Sequence, residues 1–262
     1  MNAHEEFRDL HRVGAPLVLP NAWDHASAAA LVGAGFRAVG TTSLGVASAA
    51  GKADAAGTAR AETVALARGL ARLDALVSVD IEGGFGDDPE QVAGLARELA
   101  ETGVVGINIE DGLPDGTLTD PEHQSAVIRA VKRAAPELFV NARTDTHWLP
   151  GPVGETADRV AAYQEAGADG VFVPGLRDPE RICALVDALE APLNILYSPD
   201  GPSLLELTEL GVRRVSCGSL LFRAALQATV AAATAVREDL PPPDELPTYA
   251  EADALARAYT GS

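Results

Sequence analysis

The sequence predicts an α/β chain closed as a single (β/α)₈ barrel of the TIM type, and three observations carry that reading. Eight short apolar segments rich in Val, Ile and Leu alternate with eight helical patterns between residues 16 and 236. Four helix-to-strand joins repeat a glycine: Ala34-Gly35-Phe36, Thr102-Gly103-Val104, Ala166-Gly167-Ala168 and Leu210-Gly211-Val212. Glycine takes the left-handed conformation that ends a helix. No G-x-G-x-x-G follows the first strand, which argues against an open dinucleotide-binding sheet.

In chain order, residues 5–12 form a short helix placed to cap the bottom of the barrel. Residues 16–21 are the first strand, and Asp24 caps a helix to residue 32. The second strand, 38–43, leads into a Gly/Ala/Ser-rich loop at 44–57 and an Ala-, Leu- and Arg-rich helix at 61–73. The third strand is 75–82. Asp88 then precedes Pro89 at the start of a helix to residue 101. The fourth strand, 104–110, is followed by a polar loop at 111–119 and a helix at 121–134. Strands at 138–143, 170–173, 193–197 and 214–217 alternate with helices at 155–165, 179–189, 204–209 and 220–236. The run Pro241-Pro242-Pro243-Asp244 stops the last barrel helix. A terminal helix at 249–259 follows, with Leu255, Ala258 and Tyr259 as its buried face. The expectation is one barrel domain over 1–262, with its core at 15–238 and the linker and terminal helix at 239–262.

Hydrophobic content of 47% and 25 glycines suit a packed α/β protein and not a disordered chain. No apolar run reaches the length of a membrane span. Residues 1–7 carry acids and no basic or apolar leader pattern, so the expected location is the cytoplasm. A net charge of -18 argues against nucleic acid and against anionic membrane surfaces, both of which need clustered cations. Cys183 and Cys217 lack metal or redox spacing and read as core thiols. The only lysines are Lys52, in a loop, and Lys132, in a helix. An imine-forming aldolase needs a lysine on a barrel strand, so that chemistry is disfavoured.

The residues that point to chemistry lie in Val79-Asp80-Ile81-Glu82-Gly83-Gly84-Phe85-Gly86 and Ile107-Asn108-Ile109-Glu110-Asp111. Strand alternation puts Asp80 and Glu82 on one face, and Asn108 and Glu110 likewise. If the strands are neighbours, three carboxylates meet at the end where barrels do their chemistry. They would repel one another and be costly to bury unpaired. A hard divalent cation such as Mg²⁺ resolves that cost. Arg143 is the one obvious cation among the strand ends, and a metal with an arginine suits a carboxylate or 2-oxo acid. Thr41, Thr42 and Ser43 offer hydroxyls for a second anionic group. Arg143 also has a purely structural use, pairing with Asp145 or Asp80. By spacing alone Asp54 is an ordinary loop acid, Trp23 a packing residue, and His25, His123 and His147 surface or capping residues.

Several segments together resemble the isocitrate lyase/phosphoenolpyruvate mutase family: Pro20-Asn21-Ala22-Trp23-Asp24, Thr41-Thr42-Ser43, residues 80–86, Ile109-Glu110-Asp111, Asn141-Ala142-Arg143-Thr144-Asp145 and Pro174-Gly175-Leu176. The resemblance implies a barrel that binds Mg²⁺, with Mn²⁺ as the alternative, and a small 2-oxo acid or phosphonate. It implies Asp80 as the direct metal ligand, and Glu82 and Glu110 as acids holding metal-bound waters. It implies Arg143 as the carboxylate partner, and Thr42, Ser43, Gly45 and Trp23 around the oxo acid. It turns Asp54 into a functional acid of the mobile loop after the second strand. It also implies a homodimer or homotetramer, often with the terminal helix exchanged between subunits.

The family's isocitrate- and methylisocitrate-cleaving members resemble one another in a Lys-[Lys/Arg]-Cys-Gly-His motif after the fourth strand. Residues 111–119 here contain no Cys, His or Lys, and Pro174 stands where the mutase has a histidine. The expected function is a Mg²⁺-dependent lyase or mutase, oxaloacetate decarboxylase-like or phosphonomutase-like, acting through a stabilised enolate on a C–C or P–C bond. The alternatives are a metal-dependent pyruvate aldolase and a catalytically silent metabolite-binding barrel.

Overall fold

A computed structural model of the chain describes residues 2–12, 14–241 and 246–259. The first strand is split by Pro20, which has no N–H to give to a ladder, into β1 (Leu17–Leu19) and β2 (Asn21–Ala22). The others are β3 (Ala38–Thr41), β4 (Leu76–Asp80), β5 (Gly106–Glu110), β6 (Phe139–Arg143), β7 (Gly170–Phe172), β8 (Leu193–Leu196) and β9 (Arg214–Ser216). All pair in parallel in the order β1-β9-β8-β7-β6-β5-β4-β3-β2. The two ends of that order are the two halves of one chain segment. The sheet therefore returns to its own start as a nearly closed barrel, and the (β/α)₈ expectation holds.

The helices are α1 (Ala3–Asp9), α2 (His25–Gly33), α3 (Ser43–Ala49), α4 (Arg60–Leu70), α5 (Pro89–Ala100), α6 (Pro121–Ala134), α7 (Thr156–Glu165), α8 (Pro179–Ala188), α9 (Leu204–Glu209), α10 (Leu220–Arg237) and α11 (Tyr249–Ala254). An Asp-Pro-Glu triplet opens three of them. Asp88, Asp120 and Asp178 each accept an N–H from the glutamate two residues on, at 3.0, 2.9 and 2.9 Å. Each such cap contributes about 1 kcal/mol, and the proline fills a position that has no hydrogen bond to lose. One expectation is corrected: the loop at 44–57 begins as helix α3. Its run Ser43-Leu44-Gly45-Val46-Ala47-Ser48-Ala49 buries Val46 and Ala47, and that packing outweighs the glycine.

As predicted, α1 closes the bottom of the barrel. Phe7 is fully buried and meets the Phe139 ring edge-on at 5.3 Å, and His11 stacks on the same ring at 4.4 Å. His11 Nδ1 donates to the Phe7 carbonyl at 2.8 Å. Burial, then the charge of Arg214, pushes the imidazole down to about 3, so it sits there neutral.

Beyond α11 the chain tightens into a 3₁₀ turn over Leu255–Tyr259. Tyr259 seats on α2 of its own chain, its hydroxyl donating to the His25 carbonyl at 2.6 Å. Leu255 packs beside it, whereas Ala258 is exposed, against expectation. Pro242, Pro243 and Asp244 of the expected linker lie outside the described residues. Cys183 and Cys217 are free thiols and only half-buried, so neither is a true core residue. Among the described residues, no helix is long and apolar enough to cross a membrane.

Candidate active site

The strand register assembles the site. Asp80 pairs with Asn108 across β4 and β5, and Glu110 pairs with Arg143 across β5 and β6. The Asp80 N–H donates to Thr41 Oγ1 at 2.8 Å, which ties β4 to β3 at their C-terminal ends. Glu82 donates its N–H to Asp80 Oδ1 at 3.0 Å. Its own backbone takes a left-handed φ of 51°, and Phe85 follows at 58°. Such conformations cost about 1–3 kcal/mol each in non-glycine residues and concentrate at functional sites. Between them Gly84, at φ 97°, leaves room for Val92, whose methyls would lie 2.7 Å from a Cβ.

Arg143 is the hub. Nη1 lies 2.5 Å from Glu110 Oε2, while Nε and Nη2 hold Asp145 at 2.6 and 3.1 Å. Of the five N–H donors on a guanidinium, three are engaged in these contacts. Asp145 is fixed in turn: its N–H donates to Asp111 Oδ1 at 2.8 Å. Asp111 is fully buried, with Tyr163 Oη donating to its Oδ2 at 2.7 Å and Arg159 Nη1 at 3.3 Å. Burial raises the carboxyls of Asp80, Glu82, Glu110 and Asp145. Arg143 opposes this at Asp80, Glu110 and Asp145, and the Gly57 N–H opposes it at Glu82. Burial also works against the charge on Arg143, but Glu110, Asp145 and Asp80 outweigh it and hold the guanidinium ionised.

Asp80, Asp54, Arg143, Thr42 and Ser43 line one cavity of about 110 Å³ at the barrel mouth. Glu82 and Glu110 line a neighbouring cavity of about 240 Å³, walled by the loop after β5. Trp23 and Gly45 line neither. Trp23 meets Phe222 edge-on at 5.4 Å, and a Cβ on Gly45 would fall 2.5 Å from that of Trp23. Gly45 therefore lets α3 approach Trp23 closely. Asp54 is exposed, on a loop closed by Lys52, whose Nζ reaches Glu62 at 2.6 Å and the Thr58 carbonyl at 2.8 Å.

The three carboxylates do not meet at a point. Among the described residues, no three His, Cys, Asp or Glu side chains are arranged to hold a metal ion. Glu82 Oε2 turns instead to the Gly57 N–H at 2.9 Å, and Glu110 turns to Arg143. Glu82 Oε1, however, is buried without a partner. A buried carboxylate oxygen left over, beside two more carboxylates that burial disfavours, fits a hard cation reached through water.

Sequence reasoning missed the brace in which Asp111 meets Arg159 and Tyr163, 48 and 52 residues further along the chain. It also missed that Asn141, Asn194 and Arg214 join the strand-end residues Asn21, Asn108 and Ser216 in a polar floor inside the barrel, all buried. The signal was present: isolated polar residues in apolar strands face inward by alternation.

The phosphoenolpyruvate phosphomutase family profile matches residues 7–237. The chain is 45% identical over 255 residues to Mycobacterium tuberculosis Rv1998c, an uncharacterised protein, covering 97% of this chain and 96% of that one. It is 30% identical over 242 residues to 2-methylisocitrate lyase of Halalkalibacterium halodurans, covering 89% and 77%. It is 32% identical over 193 residues to oxaloacetate decarboxylase of Pseudomonas fluorescens, covering 69% and 64%. Among solved structures, a candidate lyase/mutase from Burkholderia cenocepacia J2315 superposes with a TM-score of 0.88 at 36% identity, covering 97% and 96%.

Proposed function

The chain belongs to the phosphoenolpyruvate phosphomutase family, within the superfamily of lyases and mutases that includes isocitrate lyase, and from that premise we propose that it decarboxylates oxaloacetate or a close 2-oxo acid. The observation that supports this best is Arg143. Its guanidinium, held by Glu110 and Asp145, lines a 110 Å³ cavity shared with Asp80, Thr42 and Ser43. That space suits a small dicarboxylate, and the fork suits one of its carboxylates.

In the reaction the C3–C4 bond breaks, CO₂ leaves, and the electron pair moves onto the C2 carbonyl oxygen. The resulting enolate takes a proton at C3 to give pyruvate. Asp80, with Glu82 and Glu110 through water, would hold Mg²⁺ or Mn²⁺, which would supply Lewis acidity toward the 2-oxo group. Arg143 fixes the C1 carboxylate, and Thr42 and Ser43 flank the acid from the start of α3. Asp54, on the loop above, is the acid nearest the solvent side for the proton at C3. The closed hairpin at 111–119, bridged at Gly112 and Leu118, carries no Cys, His or Lys, and decarboxylation needs no further acid or base from it. This distinguishes the reading from methylisocitrate cleavage.

The test is pyruvate formation from oxaloacetate with and without Mg²⁺, beside a 4-hydroxy-2-oxo acid and phosphonopyruvate. Turnover of oxaloacetate alone supports the proposal. Turnover of another substrate alone, or full oxaloacetate turnover by Asp80→Ala, overturns it.

A cytoplasmic homodimer or homotetramer completes the proposal. Helix α10 leaves Leu226, Val230 and Val236 exposed at 52%, 64% and 70%, a face that a second copy would cover. Light scattering that finds a monomer removes this part.

A further inference from the structure

Arg214 is the largest of the fully buried side chains, 1% exposed. It opens β9 and faces into the barrel, while Arg213 beside it reaches out to the Gly14 carbonyl at 3.2 Å. Its Nε donates to Ser216 Oγ and its Nη2 to Asn108 Oδ1, both at 3.1 Å. Its Nη1 has no partner, and no carboxylate pairs with it among the described residues. Burying a guanidinium this way is expensive, and an apolar side chain of similar length would serve stability as well or better. Stability therefore does not explain it.

Asn108 does. Its Oδ1 takes a second N–H, from Asn141 Nδ2 at 2.8 Å. Arg214 must be a donor, because a guanidinium has no acceptor, and Asn141 donates through its Nδ2. The amide oxygen must face Arg214 and Asn141, so the NH₂ must face the other way. On that side lies Asp80, its register partner on the neighbouring strand β4. An amide free to flip would present either a donor or an acceptor to that acid. Arg214 removes the choice, and its charge lies near Asp80 in addition to that of Arg143.

We infer that Arg214 is a positioning residue, which locks the Asn108 amide with its NH₂ on Asp80 and so pre-orients that carboxylate for the cation it receives. The inference rests on the reading of Asp80 as the metal-binding acid. Outer groups of this kind typically change metal affinity tenfold to a hundredfold when removed.

The experiment measures Mn²⁺ affinity, from the paramagnetic resonance signal of free Mn²⁺, together with Tm, for the full chain, Arg214→Met and Asn108→Leu. The expected result is roughly tenfold to hundredfold weaker Mn²⁺ binding in each variant. Tm of Arg214→Met should stay at or above that of the parent, and the double variant should bind no more weakly than the weaker single. A purely structural role moves Tm and leaves affinity alone. Folded Arg214→Met with parental affinity overturns the inference. Should that variant fail to fold, parental affinity in Asn108→Leu overturns it equally. A parent chain that binds no Mn²⁺ overturns the reading of Asp80 and this inference with it.

Discussion

Glu110 and Arg143 end adjacent strands in register and meet at 2.5 Å. The pair is nearly inaccessible to solvent, with side chains 7% and 15% exposed. Losing the arginine would leave Glu110 and Asp145 buried without compensation, which costs about 3–5 kcal/mol. Arg143→Met should therefore lower Tm sharply and abolish turnover. Arg143→Lys keeps the charge but loses the planar fork. It should recover most of the Tm while kcat/KM stays at least about tenfold down, since the truncated contacts are worth about 2–5 kcal/mol. Calorimetry and steady-state kinetics on the two variants separate these effects. Equal kinetics in Arg143→Lys and the parent would remove Arg143 from substrate binding.

Burial raises the carboxyls of Asp80, Glu82 and Glu110. A raised carboxyl holds its proton more tightly folded than unfolded. Its contribution is full below the unfolded value and is lost as pH rises through the folded value. The metal-free chain should therefore lose Tm as pH climbs above the ordinary glutamate value of 4.5. A divalent cation favours the ionised acids, so the increment in Tm from Mg²⁺ should widen over the same interval. Scanning calorimetry in EDTA and in Mg²⁺ from about pH 5 to about pH 8 reads this directly. An increment that does not change with pH would exclude these carboxylates as the cation's holders.

His11 works in the opposite sense. Its folded value is about 3 against an ordinary 6.5. Stability tied to its neutral form is complete above 6.5 and is lost as pH falls toward 3. Each pH unit below 6.5 costs up to about 1.4 kcal/mol. His11→Leu should flatten that acid limb, even though it loses the bond to the Phe7 carbonyl and the stack on Phe139. Urea midpoints of parent and variant, compared at neutral and mildly acid pH, should converge as pH falls. Parallel curves would mean that His11 is not held neutral.

Much of this was legible in the sequence because it is local. Gly35, Gly103, Gly167 and Gly211 all take the left-handed conformation that their helix-ending positions implied. Asp24 caps α2 through the Ser27 N–H at 2.7 Å. Asp80 and Glu110 fall at strand ends, where alternation and glycine placed them. What was hidden depends on distance along the chain. Asp111 and Tyr163 are 52 residues apart, and no local pattern announces their bond. The Arg213-Arg214 pair was a usable clue, since alternation forces one of two adjacent strand residues inward. Helix α3 was missed because glycine and serine in Ser43–Ala49 read as loop, and only tertiary packing, the burial of Val46 and Ala47 and the close approach of Gly45 to Trp23, favours the helix.

Gly112 controls the geometry of Arg143 from one residue beyond Asp111. A Cβ there would sit 2.3 Å from Asp145 Oδ2, the atom that accepts from Arg143 Nη2 at 3.1 Å. The backbone of Gly112 is not left-handed, so alanine is acceptable to the chain itself and the clash is purely one of space. Asp145 cannot retreat as a whole, because its N–H is tied to Asp111 Oδ1. Its carboxylate must rotate, and the bidentate grip on Arg143 opens. Misplacing a substrate-holding group by about 1 Å can cost about a hundredfold. Gly112→Ala should therefore raise KM and lower kcat/KM by roughly tenfold to a hundredfold, with a stability loss of about 1–3 kcal/mol from overpacking. In an Asp145→Ala background the obstructed atom is gone, so adding Gly112→Ala should change little more. Kinetics of the two single variants and the double variant form the cycle. Independent, additive losses would show that Gly112 acts on something other than the Asp145–Arg143 contact.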